Sequence, residues 1–464
     1  MNFYILLLFL ILKQSKSNGY HALYDTKIAE AAVDKHDWQI LWQERDENGL
    51  DILSFHKEAP GIWLVTFRAR PISLRNLRRY DIKYRIIVNN MRRHIEFLLE
   101  EIKEGPPSIE MGNATFLNYL NFDEVVEYVE STPRFSTPYK LISTEVIGRS
   151  VQNRSIPMLR IDNAGVNDTI VVEAGMHGRE WISVMTAVYL IAKLVREGDD
   201  FPELGRLNWF IIPCLNPDGY YHSLQIEGYT FHRKNLNVEY CPPKQYNCSI
   251  ESCGVDLNRN FAFHDIKVGI HGNPCVGTYG GRRSFSEPES QALQSILKLY
   301  KDRIKMFISL HSYGPFILYP WSYKKEKCND WKDLVRAARK AVKAIQSVTF
   351  NATHYKIKNI GTEFGPTAGC VEDYAKHLGI KYSYRMELQR AGNRVFMPKL
   401  ENIKNFCKEN FYGIAALAMH ISKQPEKLGM MKGKAKDVKE VKSSQDFVKP
   451  NILYIMFLYG ALLN

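Results

Sequence analysis

Residues 168–183 read DTIVVEAGMHGREWIS, an apolar, β-branched run that leads to a histidine and a glutamate three positions apart, His177 and Glu180. The run predicts a fully buried strand, and Gly175 and Gly178 allow the backbone to turn directly after it. Histidine nitrogen and carboxylate oxygen are both good zinc ligands. Because the chain contains 13 histidines, this spacing alone is weak evidence, and ordinary polarity at a strand end remains an alternative interpretation.

A second apolar stretch, MFISLHSYG at 306–314, also carries a histidine near its end, His311. A catalytic zinc site uses three protein ligands and keeps a fourth position open for water. Since neighbouring strand ends bring distant residues together in a sheet, His311 is the candidate third ligand beside His177 and Glu180.

Helix and strand patterns alternate from about residue 115 onward. Helices are predicted in 122–131 (FDEVVEYVES), 181–198 and 286–303, the last opening with a capping box of Ser286 and Glu289. Further strands are predicted in 208–220 (NWFIIPCLNPDGY), which runs into a Pro-Asp-Gly turn, and in 379–388 (GIKYSYRMEL). Continuous apolar strands separated by helices predict an α/β fold with a mostly buried sheet.

Residues 18–105 form a separate predicted unit that contains no obvious catalytic cluster. Strand patterns occur at 61–67 (GIWLVTF) and 84–90 (YRIIVNN), followed by a helical pattern at 90–104. The stretch GPPSIEMGNAT, at 105–115, interrupts the pattern with Gly, Pro and Ser, which is typical of a linker. This unit is therefore expected to be a small α+β module ahead of a larger domain, residues 106–422.

Both ends of the chain carry short apolar segments. Residues 1–17 contain an apolar run that is too short to span a bilayer, and we predict a secretory signal peptide. Residues 423–450 are rich in lysine and predict a flexible spacer. The final hydrophobic tail, residues 451–464, fits either a removed signal for a lipid anchor or a tail that packs on the protein. Membrane attachment is expected only if this tail directs such an anchor.

Cysteines and sequons agree with a secreted, extracellular protein. The eight cysteines permit pairing in an oxidising compartment. Five Asn-x-Ser/Thr sequons are candidate glycosylation sites: Asn113, Asn153, Asn167, Asn247 and Asn351. The formal charge of +12 comes without an aromatic-interleaved basic motif, which favours a solvated basic surface over nucleic-acid binding.

Seven motifs occur in an order and spacing that resemble one family. They are HGREW (177–181), NPDGY (216–220), FHRKN (231–235), GVDLNRNF (254–261), SFSEPES (284–290), LHSYG (310–314) and GIKYSYRMEL (379–388). Over residues 20–422 the chain resembles zinc metallocarboxypeptidases of the carboxypeptidase A/B type in their secreted proenzyme form. The resemblance implies a mixed central sheet flanked by helices, a preceding α+β pro-domain, and one zinc ion per chain. It also implies an exopeptidase that removes the C-terminal residue of peptides and proteins and is made as a zymogen.

The resemblance implies a chemical role for several residues. His177, Glu180 and His311 would bind zinc. Glu387 would be the general base, and Arg233 would stabilise the oxyanion.

Other matching residues would bind the substrate or support the site. Asn258 and Arg259 would hold the free C-terminal carboxylate of the substrate. Arg179 and Tyr313 would contact the substrate in the same cleft. Asp256 would accept a hydrogen bond from His177. The family pattern also implies a disulfide between Cys253 and Cys275.

Two positions depart from the family pattern. Gly365, beside Phe364, stands where the family has a mobile tyrosine that contacts the substrate, so we expect slower turnover or an altered substrate. Glu372 falls at the base of the specificity pocket, where carboxypeptidase B-like members pair an acid with C-terminal Lys or Arg. Because an isolated buried carboxylate needs a cation, a preference for basic C-terminal residues is expected. The alternatives are that Glu372 pairs internally with a nearby Lys or that a one-residue gap shifts the register.

Two other functions remain open at this stage. A catalytically weakened pseudo-carboxypeptidase would bind peptide C-termini without turnover, which the missing tyrosine favours and the retained Glu387 opposes. A zinc amidohydrolase acting on small acylated amino acids would share the metal-ligand spacing but would have no need of a long pro-segment. The expected partners are peptides or proteins with a free C-terminus and an activating protease that cuts near Arg92, Arg93 or Lys103.

Overall fold

The computed structural model describes residues 22–196, 201–225, 230–241, 252–263 and 268–422. The predicted signal peptide, basic spacer and C-terminal tail lie outside these residues, as does the sequon at Asn247. None of the helices in the described ranges is long and apolar enough to cross a membrane. The two principal sheets have four and eight strands. One hydrophobic cluster lies within the first unit, and the largest cluster spans the eight-stranded sheet and also includes Ile28, Leu53 and Val88 of the four-stranded sheet.

The first unit is small and antiparallel. Its elements are β1 (Lys27–Val33), α1 (Lys35–Asn48), β2 (Asp51–Ala59), β3 (Ile62–Ala69), α2 (Pro71–Arg79), β4 (Arg85–Val88) and α3 (Met91–Glu104). The strand order is β2-β3-β1-β4, and all neighbouring strands are antiparallel. Val65 and Phe67 of β3 share one buried cluster with Leu41 of α1. The predicted small α+β unit is confirmed.

The remaining elements follow the first unit along the chain. Two short strands and a helix come first: β5 (Ile109–Glu110), β6 (Asn113–Ala114) and α4 (Phe122–Ser131). The larger unit then contains β7 (Lys140–Arg149), β8 (Ser155–Asn163), β9 (Thr169–Ala174), α5 (Trp181–Arg196), β10 (Asn208–Ile212), α6 (Pro217–Gln225), α7 (Pro288–Tyr300), β11 (Ile304–Ser312), β12 (Phe316–Tyr319), α8 (Trp331–Val348), β13 (Lys356–Asn359), α9 (Ile360–Glu363), α10 (Val371–His377), β14 (Tyr382–Leu388) and α11 (Leu400–Ile421).

The large sheet has the strand order β13-β12-β14-β11-β9-β10-β8-β7. Its centre, β14-β11-β9-β10, is parallel, whereas β8 and β7 at one side and β12 beside β14 pair antiparallel. Every residue of β9 and β10 is buried, which explains why these strands are largely apolar. The predicted mixed, mostly buried sheet flanked by helices is confirmed.

The parallel centre of the sheet brings the polar strand ends together. Because β9, β11 and β14 are parallel neighbours, their carboxyl ends lie at the same edge. His177 and Glu180 follow β9, His311 lies near the end of β11, and Glu387 near the end of β14. In the β11–β14 register, His311 is directly opposite Glu387. Open α/β sheets place their ligands at this edge.

Gly178 fixes the turn that carries the first two candidate ligands. A Cβ at this position would lie 2.4 Å from the carbonyl oxygen of Gly219, in the first turn of α6. No side chain fits at such a distance, so only glycine permits this close approach of two backbones.

The predicted capping box at the start of α7 is wrong. The helix begins at Pro288 and its N-cap is Glu287, which makes no capping hydrogen bond from its side chain. Proline suits the first helical position, so the start lies one residue later than Ser286 requires. The buried carboxylate of Glu289 instead accepts a hydrogen bond from Asn235 at 3.1 Å.

The Pro-Asp-Gly segment at 217–219 is not an isolated turn but the first turn of α6. Pro217 occupies the start of the helix, where its missing N–H costs nothing. The side chain of Asn216 accepts a hydrogen bond from the N–H of Gly219 at 2.9 Å and thereby caps the helix.

The expected disulfide between Cys253 and Cys275 is wrong. Cys253 bonds to Cys241, only 12 positions earlier, and their Cα atoms are 6.0 Å apart. That separation lies within the range that disulfides span. Because one sulfur forms one disulfide, this bond excludes the expected pair, although Cys275 is itself disulfide-bonded.

Candidate active site

Three side chains of the kind that bind zinc converge at the ends of β9 and β11. Nδ1 of His177 lies 2.8 Å from Oε1 of Glu180, and Nδ1 of His311 lies 3.0 Å from Oε2 of Glu180. The two Nδ1 atoms are 3.1 Å apart. Lone pairs repel at this distance unless a proton or a cation lies between them. A second group of ligand-type residues in the described chain, at the start of α1, is largely exposed.

The outer nitrogen of each histidine has a partner of its own. Nε2 of His177 is 3.1 Å from Oδ1 of Asp256. Nε2 of His311 is 2.9 Å from Oγ of Ser309, whose hydroxyl donates to the buried Glu173 at 2.6 Å. These contacts hold both rings so that their Nδ1 atoms face a common point, and a ring proton on Nε2 of each histidine would satisfy them. Two imidazole nitrogens and one carboxylate are a donor set that fits zinc.

The buried charges around the ligands are paired. Arg233 donates to Oδ2 of Asp256 from Nε (3.1 Å) and Nη2 (3.0 Å), and its Nη1 lies 3.6 Å from Oε1 of Glu180. Burial alone would raise the pKa of Asp256, but Arg233 outweighs it and holds this pKa well below its usual range. Burial would likewise raise the pKa of Glu180, but the two neighbouring histidines lower it. Both acids are therefore ionised at neutral pH, as a bound cation requires.

Glu387 faces the same space from β14, and its side chain is 16% exposed. Burial, followed by the negative charge of Glu180, raises the pKa of Glu387 to about 8. A cation held by the ligands would lower this pKa toward neutrality. A carboxyl group whose pKa lies near the working pH can both accept and return a proton.

Arg259 is positioned to bind a carboxylate, and Asn258 is not. Nη1 of Arg259 donates to the carbonyl oxygen of Asn258 at 2.8 Å, and its Nε bonds to no described residue. The Asn258 side chain is buried, with Nδ2 3.3 Å from Glu372 and Oδ1 accepting from the N–H of Val371. Arg259 forms part of the cavity wall and Asn258 does not. Of the two, only the arginine can reach a substrate in this arrangement.

Glu372 does not present a free carboxylate. Its oxygens accept hydrogen bonds from Nε (2.6 Å) and Nη2 (2.9 Å) of Arg385, on β14. Burial alone would raise the pKa of Glu372, but Arg385 outweighs it and lowers the pKa to about 2. Glu372 is fully buried behind the cavity wall, whereas Arg385 is part of that wall. The premise for a basic preference, an acid without an internal partner, is therefore not met; the partner is an arginine, not a lysine.

Gly365 also lines the cavity and lies in the left-handed region, with φ of 81°. Within the described residues, nothing lies within 4 Å of the Cβ that a larger residue would add. Neighbouring Phe364 packs edge-on against Phe55 of β2, with ring centroids 5.2 Å apart. A positive φ favours glycine over tyrosine, so the backbone agrees with the departure seen in the sequence.

Arg179 and Tyr313, both predicted to contact substrate, lie on the two sides of Phe396. The Arg179 guanidinium is 4.6 Å from the Phe396 ring centroid, and the Tyr313 ring is 5.1 Å from it. Both residues line the cavity. Phe396 therefore supports the part of the wall that these two residues form.

Most of these groups, though not His311, Asp256, Asn258 or Glu372, line one cavity of about 1030 Å³, and the first unit forms part of its wall. Its wall includes His177, Arg179 and Glu387 from the larger unit and residues 51–55 of β2 from the first. Oδ2 of Asp51 accepts a hydrogen bond from Nη1 of Arg179 at 2.7 Å. Burial alone would raise the pKa of Asp51, but Arg179 holds it below its usual range. The first unit thus places an ionised carboxylate on a residue predicted to bind substrate.

Three polar residues of this site are not predicted by any motif in the sequence: Ser309, Arg385 and Asp51. Ser309 and Arg385 each precede a functional residue by two positions in an apolar strand, and the two-residue period of a strand puts both members of each pair on one face. That spacing could have indicated that Ser309 and Arg385 belong to the site. No such pattern marks Asp51, because its contact joins two units of the fold.

Comparison with known proteins agrees with this geometry. The zinc carboxypeptidase family (Peptidase_M14) matches residues 134–413. Carboxypeptidase B of Astacus astacus is 31% identical over 306 residues, which cover 65% of this chain and 96% of that protein. Carboxypeptidase B of Homo sapiens is 27% identical over 351 residues, covering 74% and 79%. The crystal structure of carboxypeptidase A from Helicoverpa armigera has the same fold, with a TM-score of 0.78 and 24% identity over 88% of this chain and 100% of that one. The chain therefore belongs to the zinc carboxypeptidase family and is a metallocarboxypeptidase.

Proposed function

We propose that this chain is a zinc-dependent exopeptidase that hydrolyses the last peptide bond of peptides and proteins with a free C-terminus. The observation that carries the proposal is the convergence of His177, Glu180 and His311, with Glu387 facing them from the neighbouring strand. Arg259, in the same cavity wall, supplies a cation for the terminal carboxylate.

His177, Glu180 and His311 would hold one zinc ion per chain. When bound there, zinc supplies a Lewis acid that polarises the scissile carbonyl and lowers the pKa of water. Asp256 and Ser309 keep the two imidazole rings oriented toward the common point through their Nε2 atoms.

The side chains around the ligands move the proton and stabilise charge. Glu387 accepts the proton of the attacking water and returns it to the leaving amine, for which its raised pKa is suited. Arg233 is held in place by two hydrogen bonds to Asp256. Its fixed guanidinium faces the cavity and stabilises the oxygen that becomes negative in the transition state.

Arg259 makes the enzyme an exopeptidase. Its guanidinium is partly desolvated and only partly hydrogen-bonded within the protein. A substrate carboxylate would satisfy it with a charge-assisted pair, whereas an internal peptide segment brings no negative group to it.

Two peptides that differ only in a free or an amidated C-terminus test the proposal. After limited trypsin treatment, the full chain should release the last residue of the free peptide and act at least about 30-fold more slowly on the amide. Truncating one partner of a buried charge pair costs roughly 2–5 kcal/mol, which sets this lower bound. The rates are measured as released amino acid. Equal cleavage of both peptides, or cleavage at internal bonds, would contradict an exopeptidase.

The retained Glu387 favours catalysis over a pseudo-carboxypeptidase, since a peptide binder has no use for a general base. Gly365 is the feature that favours slower turnover than in relatives with a tyrosine. The preference for basic C-terminal residues expected from the sequence is not part of this proposal. Its basis, Glu372, is neutralised by Arg385.

We further propose that the chain is made as a zymogen, with residues 18–105 as the pro-segment and 106–422 as the catalytic domain. Acids of the first unit pair with arginines of the larger unit at three places: Asp51 with Arg179, Glu30 with Arg390, and Glu101 with Arg394. The candidate cleavage sites Arg92, Arg93 and Lys103 are exposed on α3. A protease acts on extended chain, so cutting there requires local unfolding of the helix.

Asp51→Asn should raise the activity of the uncleaved chain by about 10- to 100-fold. The change keeps the side-chain shape but removes the charge that binds Arg179, and a hydrogen bond to a charged group contributes roughly 1.5–3 kcal/mol. Peptide hydrolysis is measured before and after trypsin treatment. Asp81→Asn, at an exposed position of the same unit, is the matched control. After cleavage, the native, Asp51→Asn and Asp81→Asn chains should be equally active. If the uncleaved Asp51→Asn chain is as inactive as the uncleaved native chain, the contact between Asp51 and Arg179 is not what inhibits the zymogen.

Export from the cell is also part of the proposal, with a lipid anchor at the outer surface if the C-terminal tail directs one. The Cys241–Cys253 disulfide is typical of an oxidising compartment. Three of the sequon asparagines, Asn153, Asn167 and Asn351, are exposed and thus accessible to glycosylation.

A further inference from the structure

Arg385 is an unusual residue for its position. It lies on the apolar strand β14, two residues before Glu387, and only 8% of its surface is exposed. Placing an arginine in a buried strand is unfavourable unless a partner offsets its charge. Glu372, on α10, is that partner.

The ion pair leaves one end of the arginine directed at the cavity. Nε and Nη2 of Arg385 donate to the two oxygens of Glu372. The third nitrogen, Nη1, makes no hydrogen bond within the described chain; its nearest carboxylate is Oε1 of Glu387, at 3.9 Å. Arg385 lines the cavity and Glu372 does not, so the cavity meets the positive end of the pair.

A bound C-terminal residue would lie beside this end of the pair. Its carboxylate would be held by Arg259 and its scissile amide would lie at Glu387. Cys370, whose Sγ is 3.9 Å from Nη1 of Arg259, also lies close enough to Arg385 for the two groups to interact electrostatically, and all three residues line the cavity. The side chain of the C-terminal residue is therefore the part of the substrate within reach of Nη1.

Few other groups in this stretch of wall would counter a positive charge. Cys370, Thr367 and Gly365 are uncharged neighbours in the wall. Burial raises the pKa of the Cys370 thiol to about 11, so it stays neutral at physiological pH. The acids of the larger unit that line the cavity, Glu180 and Glu387, are engaged in the ligand set and in proton transfer, and the other two, Glu47 and Asp51, belong to the first unit. A lysine or arginine side chain would meet a like charge here, and a carboxylate would meet two free N–H donors.

We propose that Arg385 contacts the side chain of the C-terminal residue and gives this enzyme a preference for substrates that end in an acidic residue. Peptides that end in glutamate should be hydrolysed most efficiently, those that end in leucine less so, and those that end in arginine least. This inference rests on the proposed function, because it concerns the same substrate in the same cavity. Glu372 is then a positioning residue that holds the guanidinium from behind.

Peptides that differ only in the last residue, Glu, Gln, Leu or Arg, test the ranking with the full chain after limited trypsin treatment. We expect kcat/KM for the Glu peptide to exceed that for the Leu peptide by about 10- to 100-fold, the contribution of one charge-assisted hydrogen bond. The Gln peptide should fall between them and the Arg peptide should be the slowest. A Leu or Arg peptide at or above the Glu peptide overturns the proposal.

Binding of the same peptides to the Glu387→Gln chain, measured by calorimetry, gives a readout that does not need turnover. If no peptide is hydrolysed by the native chain, the proposed function fails, but the order of dissociation constants still decides the role of Arg385. Tightest binding of the Glu peptide supports the proposal, and equal or tighter binding of the Arg peptide overturns it.

Two double variants show whether Arg385 is the cause of the ranking. Arg385→Leu with Glu372→Leu removes both charges and leaves neither partner buried alone, so kcat/KM for the Glu peptide should fall relative to that for the Leu peptide until the Glu preference is lost. Arg385→Glu with Glu372→Arg reverses the pair and should favour the Arg peptide. An equal loss on all peptides in the first variant would mean that Arg385 holds the main-chain carboxylate, and this overturns the proposal.

A charge reversal at Lys376 and Asp330, an ion pair of 2.7 Å that does not line the cavity, is the matched control and should keep the native ranking. Thermal melting checks that each variant is folded. If neither Arg385 variant folds, the ranking of the native chain still confirms or overturns the preference.

Discussion

Glu387→Gln should lower kcat by about 10²- to 10⁴-fold, the range that a positioned general base contributes. The glutamine keeps the shape of the side chain but cannot accept the proton of the attacking water. The fold should not suffer, because burial already raises the pKa of Glu387 to about 8 and so stabilises its neutral form. Zinc content and peptide affinity should remain close to native, so the loss should appear in kcat rather than in KM.

Glu409→Gln is the matched control for this substitution. Glu409 is another buried carboxyl, on α11, whose pKa is raised to about 8 by burial, and it accepts a hydrogen bond from Thr353 at 3.0 Å. It does not line the cavity, so its replacement should leave kcat within a few-fold of native. A Glu387→Gln chain with activity within about tenfold of native would exclude Glu387 as the base. It would leave peptide binding as the main function of the site.

The sheet and the convergence of its strand ends were predictable because they depend on patterns that sequence displays directly. Apolar runs such as 169–174 mark strands buried on both faces, and such strands require helices between them. Once β9 and β11 are parallel neighbours, the residues at their ends must meet. His177 and His311 are 134 positions apart, yet the topology alone brings them to one edge.

Two of the errors arose where one residue had two plausible partners. Glu372 was predicted to pair with a cation of the substrate, but its partner is Arg385, which lies 13 positions later on β14. Cys253 was paired by family pattern, but Cys241 is its partner in this fold. The choice between two partners depends on the direction of the side chains and the distance between them, and the spacing of residues along the sequence gives neither.

The position of Asp51 on Arg179 was unpredictable for a different reason. The two residues are 128 positions apart and belong to separate units, so no strand period or helix face relates them. Their contact depends on how two folded surfaces fit together. Burial of Asp51 with a lowered pKa is visible only after both surfaces are in place.

His311→Ala should abolish stoichiometric zinc binding, and activity should be lost with it. The variant keeps two of the three ligands and removes the nitrogen that lies 3.0 Å from Glu180 and 3.1 Å from Nδ1 of His177. Replacing residues that only support metal ligands already weakens metal binding by about 10- to 100-fold, so removal of a ligand should exceed 100-fold. Zinc retained after dialysis, measured by atomic emission, gives the stoichiometry directly.

His222→Ala is the control for loss of a buried histidine. His222 is 3% exposed and lies 3.1 Å from Gln152, outside the cavity wall, and its replacement should leave one zinc per chain. Melting temperature gives a second readout that does not depend on turnover. A ligand present at 1,000 times its dissociation constant stabilises the folded state by about 4 kcal/mol, so zinc should raise the melting temperature of the native and His222→Ala chains and not that of His311→Ala. If His311→Ala keeps native zinc affinity, then His311 does not bind the ion, and the reason for grouping His177, Glu180 and His311 disappears.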